Sequence, residues 1–288
     1  MVDYKLVDIG TLYIVATPIG NLEDVSQRAI RVLKDVDLIA AEDTRHSRKL
    51  LEHFAIQTSL TSYHEHNDEA RADELLQRLR AGDSIALISD AGTPLISDPG
   101  YPLVQAAHEA GVNVVPIPGA SALIAALSVS GIPCDHFSFE GFLPAKPSAR
   151  LARLQPLAQE QRTLIFYESS HRIQACLEDL CRVFGEARQA CLARELTKKF
   201  ETIRNDTLCE LRRWLETDPN QSRGEFVLII APGEKIVTDE AVIQIDLLLT
   251  TLLQHWPLKK AVAIAVDLSG RKKNQLYERA LQLQALDQ

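Results

Sequence analysis

Several features are missing from this 288-residue sequence, and each absence removes a class of protein. No Gly-x-Gly-x-x-Gly follows the first apolar segment, and no Gly-x-x-x-x-Gly-Lys-Ser/Thr occurs anywhere, which disfavours standard dinucleotide and P-loop nucleotide binding. No uninterrupted apolar run approaches the length needed to span a bilayer. There are only five cysteines, an odd number with no Cys-x-x-Cys pair, so neither a disulfide framework nor a thiolate metal site is expected. With no signal peptide at the N-terminus, free thiols predict a reducing, cytoplasmic home. An excess of positive charge is also missing. The 31 basic and 39 acidic residues give a net charge of −8, so the chain does not coat nucleic acid by overall charge, although a local basic patch would still do so. Repeats and low-complexity segments are absent as well.

What is present is an alternation of apolar strands and amphipathic helices with short connections, the pattern of a largely parallel α/β sheet. Strands are expected at Leu12–Ala16, Leu38–Ala41, Ser59–Ser62, Ile85–Ile88 and Val112–Pro116, with helices between them and a small-residue helix at Ala122–Val129. Gly131-Ile132-Pro133 marks a break, after which the alternation restarts. Strands are expected at Phe137–Phe139, Thr163–Tyr167, Gln189–Ala193, Phe200–Ile203 and Glu225–Ala231, a loop at Gly141–Pro147, and a helix opening at Glu168. From about Asp239 the pattern is helical only. The resulting division is an α/β domain over residues 1–131, a second over 132–236, and a helical tail over 237–288.

The stretch from Ser89 to Tyr101 dominates the reading. Two Gly, two Pro, two Asp and two Ser sit between a buried strand and a helix, so the loop is shaped rather than loose. In open α/β sheets ligands bind beyond the carboxyl ends of strands. Asp90 and Asp98 therefore offer carboxylate acceptors to hydroxyl, amine or cationic groups, and the loops after the strands at Tyr13, Ile85 and Val114 should gather at one edge. The alternative is an ordinary strand-to-helix turn. In the tail, Ala261, Ile264, Ala265 and Leu268 share one helix face, Ser269-Gly270 breaks it, and a second helix follows. Two short helices joined at a Gly suggest a helix-turn-helix. Lys259, Lys260, Arg271, Lys272, Lys273 and Arg279 face only Asp267 and Glu278 between Lys259 and Arg279, a local basic patch suited to nucleic acid or merely solvated.

Six segments in this order resemble the tetrapyrrole methylase superfamily, in its RNA-methylating branch. They are Thr17-Pro18-Ile19-Gly20-Asn21, Ala41-Glu42-Asp43-Thr44-Arg45, the Ser89 to Gly100 loop, Glu140-Gly141-Phe142-Leu143-Pro144, Phe166-Tyr167-Glu168-Ser169 and Ala193-Arg194-Glu195-Leu196-Thr197-Lys198. The longer Ser-Asp-Ala-Gly-Thr-Pro in place of the porphyrinoid enzymes' Gly-Asp-Pro, together with the basic tail, points to that branch. The resemblance implies two α/β domains with S-adenosylmethionine in the cleft between them. The implied reaction is methyl transfer to the 2′-hydroxyl of a cytidine in the decoding region of 16S rRNA, by an enzyme that is commonly a homodimer.

It further implies that Pro18, Asp90, Gly92, Thr93, Ser121, Ala122, Tyr167 and Leu196 line the cofactor cleft. A ribose hydroxyl needs a proton acceptor, for which Asp43 and Glu42 are candidates, with Glu195 and Lys198 as rivals. Arg45, Arg48, Lys49, Arg194, Lys198 and Lys199 are candidates for RNA phosphates, as are the basic residues of the tail. His64 and His66 flank Glu65 but lack an evident third metal ligand, so no metal is expected. A porphyrinoid methyltransferase and a non-catalytic RNA-binding assembly factor are the competing readings.

Overall fold

The computed structural model describes residues 10–64, 68–233 and 239–286. Two compact units result, residues 1–233 and 234–288.

The larger unit contains two five-stranded sheets. The first consists of β1 (Thr11–Val15), β2 (Leu38–Ala41), β3 (Leu60–Ser62), β4 (Ile85–Ile88) and β5 (Asn113–Ile117), in the order β3-β2-β4-β1-β5, and every pair is parallel. Its helices are α1 (Gln27–Asp35), α2 (Thr44–His53), α3 (Asp68–Arg80), α4 (Tyr101–Glu109) and α5 (Ala122–Val129). A parallel sheet covered on both faces needs strands that are apolar throughout. β2 and β4 meet this requirement, being buried at every residue. One face packs Val15, Ile39 and Ile88 against Ala29, Val32 and Leu33 of α1, and the other packs Leu12, Leu38 and Leu87 against α3 and α4. Helix α1 starts where Ser26 accepts a hydrogen bond from the Ala29 amide at 3.1 Å, an N-cap that satisfies an otherwise orphaned donor.

The second sheet consists of β6 (Phe137–Phe142), β7 (Thr163–Ser169), β8 (Gln189–Arg194), β9 (Thr202–Thr207) and β10 (Glu225–Ile230). Its order is β6-β7-β10-β8-β9, with only β6 and β7 parallel. Helices α6 (Pro147–Leu154), α7 (Ile173–Phe184) and α8 (Leu208–Thr217) cover one face. The other face is covered by α5, whose Leu123, Ala126 and Leu127 pack with Ile165, Cys191, Val227 and Ile229. A helix expected to belong with the first sheet thus supplies core to the second.

Three strands outrun their sequence signal. β9, expected at Phe200–Ile203, runs instead over Thr202–Thr207. β6 continues through Gly141 and Phe142, expected as loop, by way of a bulge between Phe139 and Gly141. β7 keeps Glu168 and Ser169, expected to open a helix, because Phe226 and Glu225 of β10 pair with them.

The smaller unit, taken by itself, packs α9 (Asp239–His255), α10 (Leu258–Ser269) and α11 (Lys273–Leu286) around Leu249, Val262, Ala265, Leu276 and Ala280. Gly270, at φ +64°, ends α10 in the left-handed conformation that glycine adopts freely. Among the described residues no helix is long and apolar enough to cross a membrane.

Candidate active site

The sheet order makes β4, β1 and β5 neighbours, which brings the loops that follow them together at one edge. Hydrogen bonds then join these loops. The Thr17 amide donates to the Gly92 carbonyl at 2.8 Å and the Gly92 amide returns a bond to Thr17 at 3.0 Å, an isolated bridge between the first two loops. The Thr93 hydroxyl donates to the Ala120 carbonyl of the third loop at 3.0 Å. Gly92 sits at φ +87°, which a side chain would strain. At Gly119 an added Cβ would come within 2.9 Å of the Ala16 Cβ, so only glycine lets the β5 loop lie this close to the end of β1.

The opposing wall comes from the second sheet. The Tyr167 hydroxyl accepts the Leu123 amide at 3.0 Å, fixing the start of α5, and the tyrosine ring meets Phe142 edge-on with centroids 5.6 Å apart. Burial raises the Tyr167 pKa, so this hydroxyl stays protonated. The Thr197 hydroxyl accepts the Asn21 amide at 3.1 Å, tying the loop after β8 to the loop after β1.

Between these walls lies a cavity of about 320 Å³, a size suited to a small molecule. Asp90, Gly92, Thr93, Ser121, Ala122, Tyr167 and Leu196 all line it. Pro18 is not among the lining residues, whereas its neighbour Ile19 is. Glu42, Asp98, Glu168 and Glu225 add carboxylates, and the lining includes no Lys or Arg. Glu168 is neutralised by Arg172, whose Nε lies 2.9 Å from its Oε1, and Glu225 by Lys198 at 2.8 Å. Asp90 accepts the Asp43 amide at 3.0 Å, and Glu42 accepts the Asp90 amide at 3.4 Å. Burial pushes Asp98 up to about 6. The Ser89 hydroxyl opposes that shift, and the charges of Glu42 and Asp90 add to it. An apolar-walled cavity with carboxylates and no basic side chain favours a ligand that carries positive charge.

Of the residues expected to move a proton, only Glu42 lines the cavity. Asp43 instead caps α2, accepting the Arg45 amide at 2.8 Å and pairing with the Arg45 guanidinium at 3.2 Å, and these bonds hold its pKa below the usual carboxylate range. Lys198 bridges Glu195 at 3.0 Å and Glu225 at 2.8 Å. Burial works against its charge, but the two carboxylates outweigh burial and raise its pKa, leaving an ammonium that cannot accept a proton. Glu195 is likewise kept ionised: burial would raise it, and the Lys198 contact overcomes that.

Among the expected phosphate contacts, Arg48 and Lys49 share the exposed face of α2 with Arg45, and Lys199 is exposed beside Phe200. Arg194 is a correction. It is buried, and its guanidinium donates to the main-chain carbonyls of Arg223 at 2.6 Å and Asn220 at 2.9 Å, so it braces the β8 loop rather than meeting solvent. In the tail unit Lys259, Lys260, Lys272 and Lys273 are exposed and Arg271 is half-buried, while Lys260 places its ammonium 3.7 Å from the Trp256 ring centroid. Arg279 is committed to Asp246 through a bidentate pair, which reduces the basic surface. Glu65 and His66 lie outside the described residues, and among the described residues no group of His, Cys, Asp and Glu stands ready for a metal.

Two sheets enclosing an acid-lined cavity at the carboxyl edge of the parallel one define the class. The chain belongs to the tetrapyrrole (corrin/porphyrin) methylase family, whose model matches residues 11–212. A second family model, the RsmI C-terminal HTH domain, matches residues 239–284. Within the family, the chain is 55% identical over 280 residues to ribosomal RNA small subunit methyltransferase I of Pseudomonas aeruginosa, covering 96% of this chain and 98% of that one. It is 54% identical to the protein of the same name from Pasteurella multocida, covering 95% and 97%. A solved uroporphyrin-III C-methyltransferase from Thermus thermophilus, complexed with S-adenyl homocysteine, shares the fold with a TM-score of 0.53 at 19% identity, covering 77% of this chain and 97% of that one.

Proposed function

We propose that this protein transfers a methyl group from S-adenosylmethionine to the 2′-hydroxyl of a cytidine in the decoding region of 16S rRNA. One observation carries the reading: near-full-length identity above one half to relatives named for small-subunit rRNA methylation, in a chain that keeps both the enclosed cavity and the helix-turn-helix tail. The cavity suits the cofactor in charge, because an ammonium and a sulfonium are cations and the lining provides carboxylates without a basic competitor. When bound there, the cofactor supplies a methyl group already activated on a positive sulfur.

The chain's residues have the remaining tasks. Asp90, held by the Asp43 amide, accepts hydrogen bonds from the ligand's amine or ribose hydroxyls. Main-chain groups at Thr93 and Ala122, on loops locked by the Thr17–Gly92 bridge, orient its two ends. Such preorganisation counts heavily when the donor is already activated, since alignment of the reacting atoms then accounts for much of the rate. Arg48 and Lys49 on α2, and Lys272 and Lys273 at the start of α11, are exposed cations suited to RNA phosphates. We further read the enzyme as cytoplasmic and homodimeric. Exposed Tyr101, Ile124, Phe142 and Phe200 offer apolar surface for a second copy, which a mass measurement in solution would check.

The test is transfer of labelled methyl groups to small ribosomal subunits and, in parallel, to a porphyrinoid acceptor. Label in the rRNA, lost when the chain ends after Gly233 while cofactor binding persists, supports the reading. Label only in the porphyrinoid, or RNA affinity without turnover, refutes it.

A further inference from the structure

The mouth of the cavity carries an aromatic ring that cofactor binding leaves unassigned. Of the aromatic side chains in the lining, Tyr167 is half-buried and Phe226 buried, whereas Phe142 is 54% exposed. Its placement follows from the bulge in β6. Side chains alternate across a sheet, so residues 139 and 142, three apart, would ordinarily face opposite ways. The irregularity between Phe139 and Gly141, with Gly141 at φ +66°, adds one residue and returns Phe142 to the face of Phe139. These two residues then pair with Ile165 and Tyr167, on the face that packs with α5 and borders the cavity. A regular strand would have turned the Phe142 ring toward Phe166 and the helices of the other face.

The ring is also held in place. Tyr167 meets it edge-on at an interplanar angle of 63°, and Phe139 braces the same tyrosine with centroids 4.8 Å apart. The next residue, Leu143, is buried, and its carbonyl accepts a hydrogen bond from the Arg172 guanidinium, which also pairs with Glu168. Across the mouth, Ile96 lines the cavity and is 38% exposed. Its neighbour Ser97 lies close to the bulge, since a Cβ added at Gly141 would meet the Ser97 Oγ at 3.4 Å.

Resting on the rRNA reading above, we infer that Phe142 stacks on the base of the nucleotide being methylated. The reacting 2′-oxygen must reach a methyl group held inside the cavity, so the ribose comes to the mouth. The base is joined to C1′, the carbon next to the one that bears the hydroxyl, and therefore lands against the side chains of the mouth. Among the described residues the lining carries five carboxylates and no Lys or Arg, a setting that repels phosphate and leaves the flat, uncharged base as the part of a nucleotide that fits. Proteins commonly receive unstacked RNA bases on aromatic rings. The assignment gives Phe142 to the substrate and leaves Tyr101, Ile124 and Phe200 for a second copy.

The experiment is single-turnover methylation of small ribosomal subunits as a function of subunit concentration, with wild type, Phe142→Ala, Phe142→Leu and Phe142→Tyr. It is paired with calorimetry of S-adenosylhomocysteine binding and a mass measurement in solution. Loss of one base–ring stack should lower the apparent second-order rate constant about 5- to 100-fold in Phe142→Ala and nearly as much in Phe142→Leu, while Phe142→Tyr stays within about three-fold of wild type. Product affinity and mass should not change. Subunits reconstituted with an abasic ribose at the target position should slow wild type by a similar factor and slow Phe142→Ala no further, because both changes remove the same contact. The role is overturned if Phe142→Ala keeps pace with wild type, or if Phe142→Leu restores the rate, which would mean that apolar bulk suffices. It is equally overturned if the loss lies in cofactor affinity, if the variant's mass falls, or if the abasic and Ala losses multiply. Phe142→Leu keeps the apolar volume and reads the same contact should Phe142→Ala fold poorly. A wild type that never labels rRNA removes the substrate reading and the inference with it, whereas an active wild type beside an equally active Phe142→Ala removes the inference alone.

Discussion

Replacing Asp98 by Asn should stabilise the cofactor-free protein at neutral pH. Burial raises the folded-state pKa of this carboxyl to about 6, against about 3.9 for an unfolded Asp. Below about pH 4 both states hold the proton and stability is at its full value. As pH rises from about 4 to about 6 the unfolded chain releases its proton more readily, so stability falls. Above about 6 the loss is complete. Two pKa units correspond to an upper limit of about 3 kcal/mol, and because Asp98 is only half-buried, solvent screening reduces this to about 1–2 kcal/mol. Asn keeps the shape and does not ionise, so it recovers that amount. For a chain of this size the gain corresponds to a rise in Tm of about 2–6 °C. Thermal unfolding of wild type and Asp98→Asn at pH 4 and pH 7.5 measures it, with the difference expected at pH 7.5 and absent at pH 4. A variant that melts at or below wild type at pH 7.5, or a difference that ignores pH, would refute the assignment of Asp98 as a costly buried acid.

Other perturbations test the walls and the RNA face. Gly119→Ala drives a Cβ into Ala16, two positions held by backbone rather than by flexible side chains, so about 1–3 kcal/mol of overpacking should push the β5 loop outward and weaken cofactor binding in calorimetry about ten-fold or more. Tyr167→Phe strands the Leu123 amide and should cost about 1–3 kcal/mol in thermal or chemical unfolding. Arg48→Ala combined with Lys49→Ala should leave cofactor affinity intact, weaken rRNA binding and reduce the salt-dependence slope by up to about 2.

The legibility of the fold followed the physics of each element. β2 and β4 could be read as apolar runs because a covered parallel sheet buries both of their faces. The far end of β7 could not, because Glu168 and Ser169 are polar and are held in the strand by pairing with β10, a contact distant in sequence. Nor could the allegiance of α5 be read. Its eight residues are almost wholly apolar, so they have no polar side to mark which sheet they face. In the site, the glycine-rich loops announced themselves through turn chemistry, and their convergence followed from the strand order. The roles of the charged residues were harder to see. Asp43 and Arg194 look alike in the sequence, as charges after a strand, and only the structure shows one capping a helix and the other buried on carbonyls. Asp98 was visible as an acceptor, but its raised pKa comes first from burial, which spacing does not record.

The most direct test of the central claim is to locate the methyl group. Small-subunit rRNA labelled by the purified protein should carry the label on one cytidine of the decoding region, at a linkage that resists alkaline hydrolysis because its 2′-oxygen is capped. Label on a base, at an alkali-sensitive linkage, or nowhere in the RNA would contradict the account.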